Sequence, residues 1–361
     1  MSIQDKLSIV IPREVSGADT YRRYQYQIAC AMELIIKTAS EGKDFVALMD
    51  YLDDIVLIEN PNNEESLITF YQVKSKEKGN ITINTILKKE WIEKMYYNLN
   101  LFEDEKVKSV FLSNAGIKFD SSHIINSFEL ISLKDYLQKE NLLNIESDII
   151  NSIAKSFNLP KEEIEYNNIY VAKTMLTLDD YDRQIKGELQ CMATAIYPSL
   201  SAVSIDTVFI KVKEILSLRQ AYPYIIKNGT SGMESLFDKK GLSAKQFKEI
   251  IQVTKDVQLP ELKEINEFIK SLGIEIKENK IAFANHYRKF SEEIVLHNAS
   301  LTNKIFSILD NYSEEIFELD NERLFEYCIE KLEMNDIKST LFYVENKELL
   351  VILYLYKRSE S

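Results

Sequence analysis

The residues whose types and spacing could do chemistry lie between Asp50 and Lys76. Two runs rich in β-branched and aromatic residues, 49–59 and 68–76, flank Asn60-Pro61-Asn62-Asn63, a pattern that predicts a hairpin. Side chains alternate along a strand, so Phe70, Gln72, Lys74 and Lys76 share one face and Tyr71, Val73 and Ser75 the other. Gln72 and Lys74 then point the same way, roughly 6 to 7 Å apart at the backbone. With Asp54 of the first strand opposite them, a carboxylate, an amide oxygen and an ammonium converge on one spot. Such a set can hold a divalent cation beside a phosphate, because hard cations take oxygen ligands and a compact ammonium offsets developing negative charge. The bland alternative is a solvated hairpin in which Lys74 pairs with an Asp, worth ~0 to 1 kcal/mol. It explains the charges but not a Gln and a Lys set among Phe70, Tyr71 and Val73. Asp50 and Asp53 are alternatives to Asp54. Strand alternation turns Asp53 to the opposite face and ranks it lower, while Asp50 is a plausible second ligand across the bend.

Asp53-Asp54-Ile55-Val56 followed by Tyr71-Gln72-Val73-Lys74 resembles the variant PD-(D/E)xK site in which Gln stands in place of the second acid. The upstream helix from Gly17 to Ala31 strengthens the match. Together they resemble the restriction-endonuclease-like domain of CBASS antiphage effectors, a double-stranded DNA endonuclease. The resemblance covers about the first half of the chain and fades after it. It implies Mg²⁺ (or Mn²⁺) held by Asp54, Gln72 and Asp50, with Lys74 beside the reacting phosphate. A neutral Gln among the ligands implies weak metal binding until DNA adds its own oxygen. In the resembled family polar positions of the helix line the site, which carries over to Gln27; a partly exposed helix surface is an equally open reading. Arg22, Arg23 and Lys76 are the expected DNA contacts, within a local basic group that also includes Arg13, Lys78, Lys88 and Lys89.

The chain has 361 residues, enough for two modest domains or one large one, and its 45% hydrophobic and 28% charged residues are ordinary for a soluble globular protein. No apolar run approaches the ~20 residues that cross a bilayer, and the N-terminus lacks a signal peptide's pattern, so a cytoplasmic protein without membrane attachment is expected. Cys30, Cys191 and Cys328 form no CxxC pair, and His123, His286 and His297 lack zinc spacing, which disfavours a zinc site or a Cys-His nucleophile. Cys30 reads as a reduced core thiol. A net charge of -13 argues against a free-standing, non-specific DNA binder, because phosphate contacts depend on clustered Lys and Arg.

Around the hairpin the pattern predicts an extended lead-in over 1–19 and a helix capped by Asp19 or Thr20 and running to Thr38, with Tyr24, Ile28, Ala31, Leu34 and Ile35 on its buried face. A buried strand follows at 45–49, a helix from Asn84 or Thr85 to Leu101 anchored by Trp91 and Tyr96, and strands at 108–114, 128–133 and from Tyr170. Lys134–Ser156 and the stretch after Pro160 read as helical. This order predicts an α/β restriction-endonuclease-like core, a mixed sheet flanked by helices, over 1–178. Residues 179–361 read as a mostly α-helical region for assembly and partner binding, with helices at 179–192, 204–221, 243–254, 260–271, 280–298, 302–310 and 313–332. The last stretch, 341–356, is open between helix and strand.

The resembled CBASS effectors fuse the nuclease to a sensor of cyclic oligonucleotides, and the helical pattern of 179–361 does not suit such a sensor. Related stand-alone nucleases pair with a HerA-type hexameric ATPase. The resemblance therefore implies a homo-oligomer that cuts double-stranded DNA when gated by such a partner, with Tyr222-Pro223-Tyr224, Phe237 and the helix from Phe283 to Phe290 offering apolar docking surface. The rival is a scaffold subunit of a DNA-processing complex that keeps the fold without the chemistry.

Overall fold

The computed structural model describes residues 16–63, 66–102, 106–198, 200, 202–223, 233–257, 259–274, 279–294, 299–317, 319, 321–333 and 341–359. Most of the expected lead-in, with Arg13, and also Tyr224 and His297, lie outside them.

The first half runs α1 (Ser16–Ser40), β1 (Phe45–Tyr51), β2 (Asp53–Glu59), β3 (Leu67–Lys74), β4 (Ile81–Thr82), α2 (Ile83–Lys88), α3 (Trp91–Asn100), β5 (Val107–Ser113), β6 (Ile117–Lys118), β7 (Ile124–Ile125), β8 (Ile131–Ser132), α4 (Leu133–Lys139), α5 (Leu143–Phe157) and β9 (Ile169–Lys173). Then come α6 (Tyr181–Ile196), α7 (Ala202–Ala221), α8 (Met233–Lys240), β10 (Gly241–Ser243) and α9 (Ala244–Val257). The main sheet has the order β10-β1-β2-β3-β5-β9-β8, and a small one has β4-β6-β7. The hairpin pairs β1, β2 and β3 antiparallel, while β3, β5 and β9 are parallel, so the sheet is mixed. Parallel neighbours require long crossovers; α2 and α3 provide one, α4 and α5 the other. Strands covered on both faces read as continuous apolar runs, as Val110-Phe111-Leu112 does.

One face of the sheet packs Phe111, Ile169 and Val171 against Ile92, Met95 and Tyr96 of α3 and Ile149 and Ile153 of α5. Val46, Leu48, Val56, Phe70 and Val107 form a second cluster, with Phe102, Leu236 and Phe237 against it. In α1 the buried stripe is Tyr26, Ile28, Ala31 and Ile35, and the expected Tyr24 is exposed. The expected cap at Asp19 or Thr20 also shifts, since the helix already runs from Ser16.

Several expected elements are broken or shortened. The helix expected from residue 84 to 101 is two, because Glu90 adopts a left-handed φ of 54° between them. Thr82 starts the first of the pair, its hydroxyl accepting from the Thr85 N–H. The strand expected at 128–133 shrinks to Ile131–Ser132 at the sheet edge, and the helix expected after Pro160 is a single 3-10 turn, Lys161–Glu163. β10 and α8 carried no expectation. Gly241 is required in β10, because a Cβ there would meet the Phe237 carbonyl at 2.8 Å and the Leu48 and Val46 side chains at 3.0 Å. Only a residue without a side chain lets this strand lie so close to β1.

The chain forms two compact units. The segment ending at Ile185 joins Ile215–Ala244 in one, and Lys186–Glu214 joins the segment from Lys245 in the other. The expected split into 1–178 and 179–361 puts Ile215–Ala244 on the helical side, whereas β10 within it pairs with β1. The second unit is built from helices, with α10 (Leu262–Ser271), α11 (Lys280–Glu293), α12 (Ala299–Asp310), α13 (Ser313–Phe317), α14 (Asn321–Glu333) and α15 (Leu341–Ser359). The last apolar stretch is thus a helix, and the expected helix over 313–332 is two. Phe283, Tyr287 and Phe290 are buried in this unit's core, so they do not offer docking surface; the aromatic spacing that suggested one marks the core-facing side of α11. No described helix is long and apolar enough to cross a membrane.

Candidate active site

The hairpin register that pairs Ile55 with Tyr71 and Val56 with Phe70 carries the start of β2 to the end of β3. There the Asp54 carboxylate collects three donors on one oxygen: Lys74 Nζ at 2.8 Å, the Val73 N–H at 2.7 Å and Gln72 Nε2 at 3.1 Å. The structure therefore brings Asp54, Gln72 and Lys74 together. Gln72 is buried, while the Asp54 and Lys74 side chains keep 17% and 22% exposure, enough to meet solvent and little enough to strengthen the pair. The Lys74 ammonium also sits 5.5 Å from the centre of the Trp91 ring, which packs in turn on Phe111.

Asp53 is a correction. Its carboxylate does not turn away but meets the same amide, with Gln72 Nε2 donating to Asp53 Oδ1 at 2.9 Å. Asp53 is the first residue of β2, directly after Leu52, whose φ is 63°, and alternation is not yet established there. The same oxygen accepts the Asp54 N–H, and the other accepts from Asn98 Nδ2 of α3 at 2.9 Å. Burial, then the Asp54 charge, pushes the Asp53 carboxyl up to about 7. The folded state thus holds this proton where the unfolded chain has released it, so stability contributed by the group falls as pH rises from about 4 to about 7. In metal-free protein, Asp53→Asn should gain relative to wild type across that window, by a melting-temperature difference corresponding to a few kcal/mol. Parallel melting curves at pH 5 and 8 would contradict it.

Asp50, Asp53, Asp54 and Gln72 line an open cleft of 690 Å³, faced from α3 by Glu93, Lys94, Tyr97 and Asn98. Asp50, Leu52 and Glu90 on its rim all have left-handed backbones, a strain that clusters at functional sites. Glu93, also missed in the sequence, is buried and accepts from the Ser152 hydroxyl. A signal for it and for Asn98 existed: both are polar residues on the buried side of α3, beside Ile92 and Met95.

Other expected residues lie farther out. Gln27 accepts a hydrogen bond from Gln220 Nε2 at 2.8 Å, although its helix does pass the site, since the Asp54 charge acts on Cys30 one turn on. Cys30 is a fully buried free thiol, held protonated chiefly by burial. Arg22 pairs with Glu77 at 2.7 Å, Lys76 donates to the Asn80 carbonyl, and Arg23 is exposed.

Among the described residues no three Asp, Glu, His or Cys side chains gather as a metal site. A divalent cation nevertheless fits the donor set. Gln72 Oε1 is buried without a hydrogen-bond partner, the orphaned oxygen that a hard cation would take beside the Asp54 carboxylate.

The mixed sheet thus sets carboxylates and an amide in one cleft, with the Lys74 ammonium bonded to one of the acids. The family described as Cap4, dsDNA endonuclease domain, matches residues 15–217, more than half of the chain. The chain belongs to that family. The Lamassu protein LmuA of Bacillus cereus (strain VD014) is 22% identical over 333 residues, covering 90% of this chain and 84% of its own. Among solved structures, the Moraxella osloensis Cap4 SAVED/CARF-domain containing receptor aligns over 64% of this chain and 46% of its own at 13% identity and a TM-score of 0.37. The Acinetobacter baumannii Cap4 receptor with the cyclic trinucleotide 3'3'3'-cAAA gives 68%, 45%, 13% and 0.37. The chain spans less than half the length of those receptors.

Proposed function

We propose that this chain is the metal-dependent DNA endonuclease of an antiphage defence complex, with a PD-(D/E)xK-type site in which Asp54 and Gln72 hold the metal and Lys74 faces the reacting phosphate. The observation that carries the reading is the convergence of Lys74, Gln72 and the Val73 N–H on one oxygen of Asp54, beside an unpartnered buried amide oxygen. Family membership supports the substrate, and the likeness to a Lamassu protein supports the setting.

When bound, Mg²⁺ would neutralise phosphate charge and acidify water. The remaining work falls to the chain. Asp54 orients the Lys74 ammonium, which offsets charge on the phosphate oxygens or orients the attacking water. Gln72 adds a neutral oxygen, leaving a weak cation site until DNA contributes its own ligand. The Trp91 ring restrains Lys74 without neutralising it.

Access to DNA is the second half of the reading. At a net charge of -13 a single copy is poorly suited to a duplex, and Arg22 is already engaged by Glu77. Several copies arrayed around DNA by a separate ATPase, of the HerA type in the resemblance, would gather the basic groups. Supercoiled plasmid should be cut weakly by the chain alone and strongly with its partner, and EDTA should stop both. An absence of cutting with partner and Mg²⁺ or Mn²⁺ present would favour the scaffold role.

A further inference from the structure

We infer that Asp53 is a positioning residue and the second carboxylate of this site, and that it dictates glutamine at position 72. The Gln72 amide nitrogen lies between two acids, 2.9 Å from Asp53 Oδ1 and 3.1 Å from Asp54 Oδ2, and donates to both. A carboxylate at 72 would have no proton to give either and would set three acids beside the single ammonium of Lys74. Asp53 cannot swing aside, because its other oxygen takes a hydrogen bond from Asn98, which is 2% exposed. With the nitrogen committed to the acids, the oxygen of Gln72, a residue 6% exposed, is fixed in direction and left without a partner. The negative charge that the site needs for a cation comes from Asp53 in the hairpin bend, and the amide is the spacer that lets two acids coexist.

The inference rests on the nuclease reading, and a swap separates the two. In Asp53→Asn/Gln72→Glu, the new amide can donate to the carboxylate at 72 while its oxygen keeps the Asn98 hydrogen bond. Two acids and one amide are restored with the sites exchanged. The Asp54 N–H loses its acceptor and the carboxylate at 72 has no proton to give Asp54, so recovery should stop short of wild type. Each single variant should lose about a hundredfold in plasmid nicking, and the double should regain about tenfold over either, while in metal-free protein the melting temperature lost in Gln72→Glu should recover in the double by more than Asp53→Asn adds to wild type. A double no better than the weaker single, or one that fails to fold while both singles fold, overturns the inference. So does wild-type nicking by Asp53→Ala. A wild type inert under every condition sinks the nuclease reading instead, and the recovery in melting temperature then decides the swap by itself.

Discussion

Lys74→Ala should cut DNA cleavage by about a hundred- to a thousandfold, the range seen when a single group stabilising transition-state charge is removed. Lys74 donates to Asp54 at 2.8 Å and lies against the Trp91 ring, so its ammonium has a defined position at the proposed site. Truncation removes that charge and leaves the Asp53–Asp54 pair without its cation. The fold should survive, because the pair is partly solvated and β3 keeps its neighbours on both sides; a melting temperature lower by a few degrees is expected. Lys74→Arg should not restore the rate, since a planar fork cannot take the place of a compact ammonium against Trp91. Cleavage by Lys74→Ala at the wild-type rate would remove this residue from the site. Asp54→Asn should lose as much, with a larger stability cost, because the buried Gln72 amide and the Val73 N–H share its oxygen.

The hairpin was legible because both periodicity and turn chemistry act locally. Ile55, Val56, Phe70 and Tyr71 have the pattern of a pleated, covered surface, and Asn60 indeed takes the left-handed backbone with a φ of 52° that a tight turn requires. From that register the meeting of Asp54, Gln72 and Lys74 followed. Asp53 was misplaced for a physical reason: a strand's alternation rule does not hold at its first residue after a left-handed bend. β10 was invisible for a different one. Gly241-Leu242-Ser243 is too short to show a period, and it pairs with Val46, Ala47 and Leu48, far away in sequence. Gln27 shows the limit of a single helix face, because Gln220, which binds it, comes from α7 and no local pattern announces that contact.

Lys240→Met should cost about 2–4 kcal/mol and lower the melting temperature by roughly 5–10 °C, the largest stability effect expected outside the apolar cores. The residue is 2% exposed, and its ammonium donates to the carbonyls of Arg219 at 3.1 Å, Gln220 at 3.4 Å and Tyr222 at 2.9 Å. These are among the last carbonyls of α7 and the residue beyond it, groups that no helical N–H can satisfy, at the negative end of the helix dipole. Burial lowers the lysine's pKa, and the Asp50 charge opposes that shift. Lys240 is also the last residue of α8, directly before the glycine that lets β10 lie on β1. One side chain therefore fastens the end of α7 to the edge of the sheet, beside the β1 end that leads into the acid pair. Methionine keeps most of the stem's volume, so the expected loss reports carbonyls left without the ammonium, those of Gln220 and Tyr222 above all since Arg219 also accepts the Tyr222 N–H, and not a cavity. Circular dichroism should show a native fold that melts early, and Asp50, deprived of the nearby positive charge, should lose part of its restraint at the cleft rim. An unchanged melting temperature would mean that those carbonyls find other donors, and that the returning strand holds without this lysine.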